Sequence, residues 1–218
     1  NLFMHYTFDI WMVRNHPQCP FARYADDGVV HCHNQAEAER LMESIRSRLE
    51  ECLLTMHPEK SKIVYCKDGN RYMDYPQIQF TFLGFTFRSR KAMNRYRQCF
   101  GSFSPAVSKD AMLDMREQIR SWNLNSQTFL SLEQLGAKYN PVLRGWWNYY
   151  GRFYKAEMRK LFDYLNQRLV SWAQHKFKKL WRHKTRASRW LQRVSKRQPD
   201  MFYHWKYCRS NDWVMGAV

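Results

Sequence analysis

The stretch Phe21-Ala22-Arg23-Tyr24-Ala25-Asp26-Asp27-Gly28-Val29-Val30-His31-Cys32-His33 decides how the first half of the chain reads. Residues 21–25 and 29–33 are two strand-like runs, and the Asp-Gly step between them is a strong tight-hairpin signal. The adjacent carboxylates Asp26 and Asp27 repel each other and gain nothing from packing. The pair becomes favourable when a divalent cation neutralises it. Mg²⁺ suits such a site, because it binds one or two carboxylates and leaves room for substrate phosphates. The bland alternative is an ordinary Asp-Asp-Gly turn, and these residues alone leave both readings open.

Upstream, residues 1–16 read as a short helix with Leu2, Tyr6, Ile10 and Val13 at helical spacing, broken by Pro17 and Pro20. Downstream, Asn34 is a good N-cap, and Glu37 can reach back to it as in a capping box. The helix that follows carries Ala38, Leu41, Ile45, Leu49 and Cys52 or Leu53 on one stripe. Residues 63–66 read as a strand. Ile78, Phe80 and Phe82 alternate with Gln79 and Thr81, and after Gly84 the alternation resumes at Phe85 and Phe87. This half is α+β, an antiparallel sheet with a helix across one face. His31-Cys32-His33 resembles a metal cluster. On a strand, however, Cys32 points away from both His and no second ligand pair lies at a useful spacing, so packing is the better reading.

From Ser104-Pro105 onward the pattern is helical, which divides the chain into residues 1–104 and 105–218. Ser108 caps a helix carrying Met112, Met115, Ile119 and Trp122. Residues 130–138 form a second, short one. Asn140-Pro141, an N-cap followed by Pro at the first helical position, opens a third with Val142, Trp146, Tyr149 and Phe153 on one side. A longer helix holds Met158, Leu161, Leu165, Leu169, Trp172 and Lys176 in register, and a last one covers about residues 185–194.

Charge separates the halves further. The 218 residues hold 36 Lys+Arg against 19 Asp+Glu, a net +17. Residues 1–108 contribute only +3, whereas 152–197 alone carry +13, with Glu157 and Asp163 the only acids there. Such a one-signed field on an aromatic-rich helical segment points to a polyanion partner, nucleic acid above all. A composition 44% hydrophobic and 17% aromatic excludes a disordered chain. No run of eighteen uncharged apolar residues exists, so a membrane span is not expected. Six widely spaced Cys read as free thiols. The start at Asn1, inside an apolar stretch, reads as a piece of something longer.

Taken together, several blocks resemble one family. Residues 21–27 resemble the catalytic hairpin of reverse transcriptases. Leu54-Thr55-Met56-His57-Pro58-Glu59-Lys60-Ser61-Lys62 and Phe80-Thr81-Phe82-Leu83-Gly84-Phe85 resemble the two blocks after it. Asn1-Leu2-Phe3-Met4-His5-Tyr6 is similar to the helix before that hairpin in group II intron enzymes. Leu143-Arg144-Gly145-Trp146-Trp147-Asn148-Tyr149-Tyr150-Gly151 resembles their thumb, the maturase domain, and Phe202-Tyr203-His204-Trp205 fits the same family.

The resemblance implies part of a polymerase palm followed by an all-α thumb. It also implies an RNA-directed DNA polymerase that grips its intron RNA, acting on a primer-template and deoxynucleoside triphosphates. Asp26 and Asp27 would hold Mg²⁺ in a two-metal site, with Tyr24, Ala25, Lys60 and Gly84 on the nucleotide and primer side. The family's palm has a further metal-binding Asp in an earlier block, for which Asp9 is a poor substitute. Arg144, Arg152, Lys178, Lys179, Arg182, Lys184, Arg186, Arg189 and Arg193 are the candidate RNA contacts. Two other readings stay open: a non-catalytic RNA-binding splicing helper, and a related reverse transcriptase used in defence or spacer acquisition. A bacterial cytoplasm is the expected setting, with an organelle as the alternative.

Overall fold

The computed structural model describes residues 1–71 and 73–208. Two compact units emerge: residues 1–82 with 88–103, and residues 83–87 with those from Ser104 onward.

In the first unit, helix α1 runs Leu2–Met4, continues as a π-helical segment His5–Ile10 and ends in Trp11–Asn15. The expected apolar stripe is not the buried one. Leu2, Tyr6 and Val13 are exposed, while Thr7, Phe8 and Met12 are buried. The wider π turn changes which residues line up along the helix, a shift that a constant 3.6-residue period cannot anticipate. Phe8 and Met12 pack with Cys19 and with Leu41 of helix α2, Gln35–Glu51. Asn34 caps α2 by accepting from Glu37 N–H at 2.9 Å. The reciprocal bond goes one residue further back than a capping box requires, from His33 N–H to Glu37 Oε2 at 2.7 Å.

Strands β1, Phe21–Tyr24, and β2, Asp27–Val30, pair antiparallel with Tyr24 opposite Asp27. The turn is therefore Ala25-Asp26 and not Asp27-Gly28; Gly28 lies within the ladder, opposite Arg23. Strands β3, Gln79–Phe82, β4, Phe85–Met93, and β5, Cys99–Val107, form a separate sheet in that order. The expected strand at 63–66 is absent. Tyr65 N–H donates to Gln77 O at 2.8 Å, but no ladder develops around it. The helical pattern also starts later than expected, because residues 104–107 finish β5. Pro105 is tolerated there since β5 is an edge strand.

The second unit is built on α3, Lys109–Ser121, α4, Leu132–Tyr150, α5, Lys155–Lys176, and α6, Lys184–Arg197. Ser108 caps α3, accepting from Ala111 N–H at 3.1 Å. The two helices expected around Asn140-Pro141 are one. Helix α4 passes through Pro141, and Asn140 is not its cap. The Asn140 side chain instead donates to Met201 O at 2.9 Å and accepts from Tyr203 N–H at 2.8 Å. The buried face of α4 is accordingly Leu135, Tyr139, Leu143 and Trp147, with Tyr149 and Phe153 exposed. Helix α5 behaves as its periodicity predicts: Met158, Leu161, Leu165, Leu169 and Trp172 are buried. Lys176 ends the stripe by donating to Thr128 O and Leu130 O at 2.6 and 2.7 Å.

Asn140 and the core together dock a 3₁₀ segment, Tyr203–Lys206, onto the bundle. His204 is fully enclosed and donates from Nε2 to Asn166 Oδ1 at 2.8 Å, while Trp205 Nε1–H donates to the same oxygen at 3.1 Å. Burial holds the His204 imidazole at about 3, against 6.5 for the free side chain. The unfolded chain then takes up a proton below pH 6.5 that the folded chain refuses, so stability is full above that pH and falls as pH drops. Moving from pH 7.5 to 5.5 should cost the helical unit about 1.4 kcal/mol. His204→Gln should flatten this dependence; equal urea midpoint shifts in both proteins would show that His204 is not its source.

Candidate functional site

The hairpin tip is held by one side chain. Arg23 donates from Nε and Nη2 to the two oxygens of Asp9, both at 2.6 Å, and from Nη1 to Asn1 Oδ1 at 2.8 Å. Nη1 also donates to the Ala25 carbonyl. The guanidinium so links α1 to the turn, and it holds the Asp9 carboxyl below the usual carboxylate range, a hydrogen bond from His5 adding to the effect. A bidentate pair of this kind is strong and directional. Asp9 is thereby occupied in positioning the hairpin.

Ala25 sits at φ 54°, in a left-handed conformation that a non-glycine residue adopts at a cost of about 1–2 kcal/mol. Its bond to Arg23 helps to hold it there. The conformation leaves Asp26 on the turn and Asp27 at the start of β2, both exposed. Among the described residues, neither carboxylate has an ion-pair or hydrogen-bond partner. Tyr24, 65% exposed, stands opposite Asp27. This is a pair of hard oxygen donors with no protein cation competing for them, which fits Mg²⁺.

Lys60 lies in the exposed turn 58–60, where its N–H donates to His57 Nδ1 at 3.4 Å. Among the described residues, no ion pair joins it to Asp26 or Asp27. Gly84 belongs to the other unit. With Leu83 at φ 51° and Gly84 at φ 76°, the two residues form the left-handed connection between β3 and β4. A Cβ on Gly84 would fall 2.8 Å from the Tyr150 hydroxyl. Tyr149 donates to Leu83 O at 2.9 Å, and Ser108 N–H donates to Gly84 O at 2.8 Å. The Tyr149-Tyr150 pair therefore clamps this turn. Trp146 stacks on Trp122 and Trp147 on Tyr207, so the Trp pair is likewise engaged in packing.

The nine basic candidates are all exposed, and among the described residues none is paired with a carboxylate. Arg144 lies over the Tyr203 ring at 5.6 Å, and Arg152 follows the end of α4. Lys178 and Lys179 start a 3₁₀ turn ahead of α6. Arg182 lies outside the helix at φ 61° and over Trp181, so it does not share a helical face with Arg186. On α6 the buried stripe is Ala187, Ser188, Leu191 and Ser195. At 3.6 residues per turn, Arg186, Arg189 and Arg193 cluster on the opposite face. Lys196 and Arg197 extend that face, an extension missed because the helix was expected to end near 194. The positioning role of Arg23 was missed too, although its place one residue before Tyr24-Ala25-Asp26-Asp27 was visible.

Two stretches of the chain match known families. Residues 1–87 match the family model of reverse transcriptase (RNA-dependent DNA polymerase), and residues 112–193 match the group II intron maturase-specific domain. A comparison with curated proteins gives no match. No helix among the described residues is long and apolar enough to cross a membrane. The chain therefore carries reverse transcriptase sequence ahead of a group II intron maturase-specific domain.

Proposed function

We propose that this chain serves RNA-directed DNA synthesis, with Asp26 and Asp27 as the Mg²⁺ ligands and the helical unit as the grip on intron RNA. The observation that carries the proposal is the unpaired carboxylate couple on a turn clamped by Arg23, in a chain whose other unit bears an unneutralised cationic helix face. Bound at the carboxylates, Mg²⁺ would supply charge neutralisation for the attacking 3′-hydroxyl and the departing pyrophosphate. The residues do the positioning. Arg23 fixes the tip, Tyr24 and Ala25 flank it, and Lys60 and Gly84 serve the nucleotide and primer side. Asp9 is committed to Arg23, so it is not the further carboxylate that the family resemblance implies, and the 218-residue chain alone is expected to bind RNA without synthesis.

Arg186, Arg189 and Arg193 contact phosphates, which positions RNA without reading its sequence. Neutralising the three together should weaken binding to all single-stranded RNAs and reduce the log–log salt slope by about 2, at ~0.7 per phosphate. Folding should change by less than about 0.5 kcal/mol, since the three side chains are exposed. An unchanged slope in the triple variant would place the RNA elsewhere. Synthesis is tested by Mg²⁺-dependent primer extension on an RNA template, using the polymerase that carries these residues. RNA binding without any extension there would favour the splicing-helper reading.

A further inference from the structure

The open end of the β1–β2 hairpin carries a second donor group, chemically unlike the carboxylates at its tip. Extending the register from Phe21 opposite Val30 by two residues sets Cys19 opposite Cys32. His31 N–H donates to Pro20 O at 2.8 Å, so the ladder continues through the intervening pair. Cys19 and Cys32 lie just beyond the paired strands, at the position of a non-hydrogen-bonded pair, where side chains approach most closely. Glu37 in the first turn of α2 completes the group. One donor atom from each of the three residues lies within 4.8 Å of the others, with Cys19 Sγ and Glu37 Oε1 at 3.7 Å. Glu37 Oε2 is occupied by His33 N–H, which fixes the carboxylate with its other oxygen toward the sulfur. Cys19 is buried, whereas Cys32 and Glu37 are half-buried and leave one side accessible.

We propose that Cys19, Cys32 and Glu37 bind a thiophilic divalent cation, with Zn²⁺ the best match. Tetrahedral zinc takes sulfur at about 2.3 Å and carboxylate oxygen at about 2.0–2.2 Å, which sets ligand atoms ~3.5–3.8 Å apart. The Cys19–Glu37 pair already has that spacing. Two thiolates select zinc over magnesium, so this site and the Asp26-Asp27 tip take different ions. The His33 N–H bond is the outer support that ligating carboxylates characteristically have. Water fills the fourth position. Burial raises both thiols, Cys32 to about 11, so the metal-free protein holds them protonated at neutral pH. Each ion bound therefore releases two protons as both sulfurs become thiolates. The ion staples the base of the hairpin to the start of α2.

The reduced 218-residue chain, kept anaerobic and titrated with Co²⁺ and then Zn²⁺, tests this. One Co²⁺ per chain should produce a thiolate-to-metal charge-transfer band that Zn²⁺ displaces and a large excess of Mg²⁺ leaves unchanged. Cys19→Ser and Cys32→Ser should each reduce the band and the affinity sharply, and Glu37→Gln should weaken binding about tenfold or more while keeping the band. In wild-type protein, Zn²⁺ should also protect Cys19 and Cys32, but not the exposed Cys99, from alkylation mapped by mass spectrometry. That readout needs no variant to fold. Reduced protein that gives no band and no protection would overturn the proposal, as would a band that survives both cysteine substitutions. A Cys19–Cys32 disulfide that forms in preference to zinc uptake would overturn it as well.

Discussion

In the polymerase that carries these residues, Asp26→Ala should cut RNA-templated primer extension by about 10³-fold or more, with RNA affinity unchanged. The magnitude follows from the several kcal/mol of charge stabilisation that a metal contributes to phosphoryl transfer, each 1.36 kcal/mol being a factor of ten in rate. Loss of fold is not the expected cause. Asp26 is exposed on the two-residue turn and, among the described residues, has no partner to leave stranded. Arg23 and its Asp9 anchor remain in place, so the turn keeps its shape. Single-turnover extension and RNA binding measured on the same preparation check both halves of this expectation. Extension that survives the substitution would mean that the metal is held elsewhere, and the hairpin would then be an ordinary turn.

Asn166→Leu should destabilise the helical unit by roughly 2–6 kcal/mol. Asn166 is buried, and its one carbonyl oxygen accepts from both His204 Nε2 and Trp205 Nε1. Leucine is close to asparagine in size but leaves two buried N–H groups without an acceptor, at about 1–3 kcal/mol each. The network has no reserve, because among the described residues His204 Nδ1 and Asn166 Nδ2 already lack partners. The drop in the urea midpoint measures the effect. A change below about 1 kcal/mol would mean that His204 and Trp205 find other acceptors, and that the 3₁₀ segment is held by Phe202 and Asn140 instead.

The elements that read correctly from sequence are those with long, regular patterns. Helix α5 shows its stripe over four turns, and Ser108 and Asn34 cap where short polar side chains can accept a backbone N–H. The misreadings have local causes. The π segment in α1 changes the period within six residues, so the buried face moved from Leu2, Tyr6 and Val13 to Phe8 and Met12. Pro141 read as a helix start, but its missing N–H and fixed φ are tolerated inside α4, where Asn140 faces a partner 61 residues away. Such a long-range contact has no sequence signature. In the hairpin, pairing register overrode turn propensity: the turn formed at Ala25-Asp26, with Ala25 left-handed, and not at the Asp27-Gly28 step. The carboxylate pair itself was legible because its chemistry is carried by adjacent residues. Arg23, Asp9 and Asn1 come together only once α1 has folded against β1.

The central claim is that one protein holds RNA through the helical unit and copies it at the hairpin. Single-turnover primer extension as a function of RNA template concentration tests this most directly, comparing the wild-type polymerase that carries these residues with its variant neutralised at Arg186, Arg189 and Arg193. The account predicts a higher half-saturating RNA concentration in the variant and an unchanged rate at saturation. A lower rate at saturation with an unchanged half-saturating concentration would contradict it.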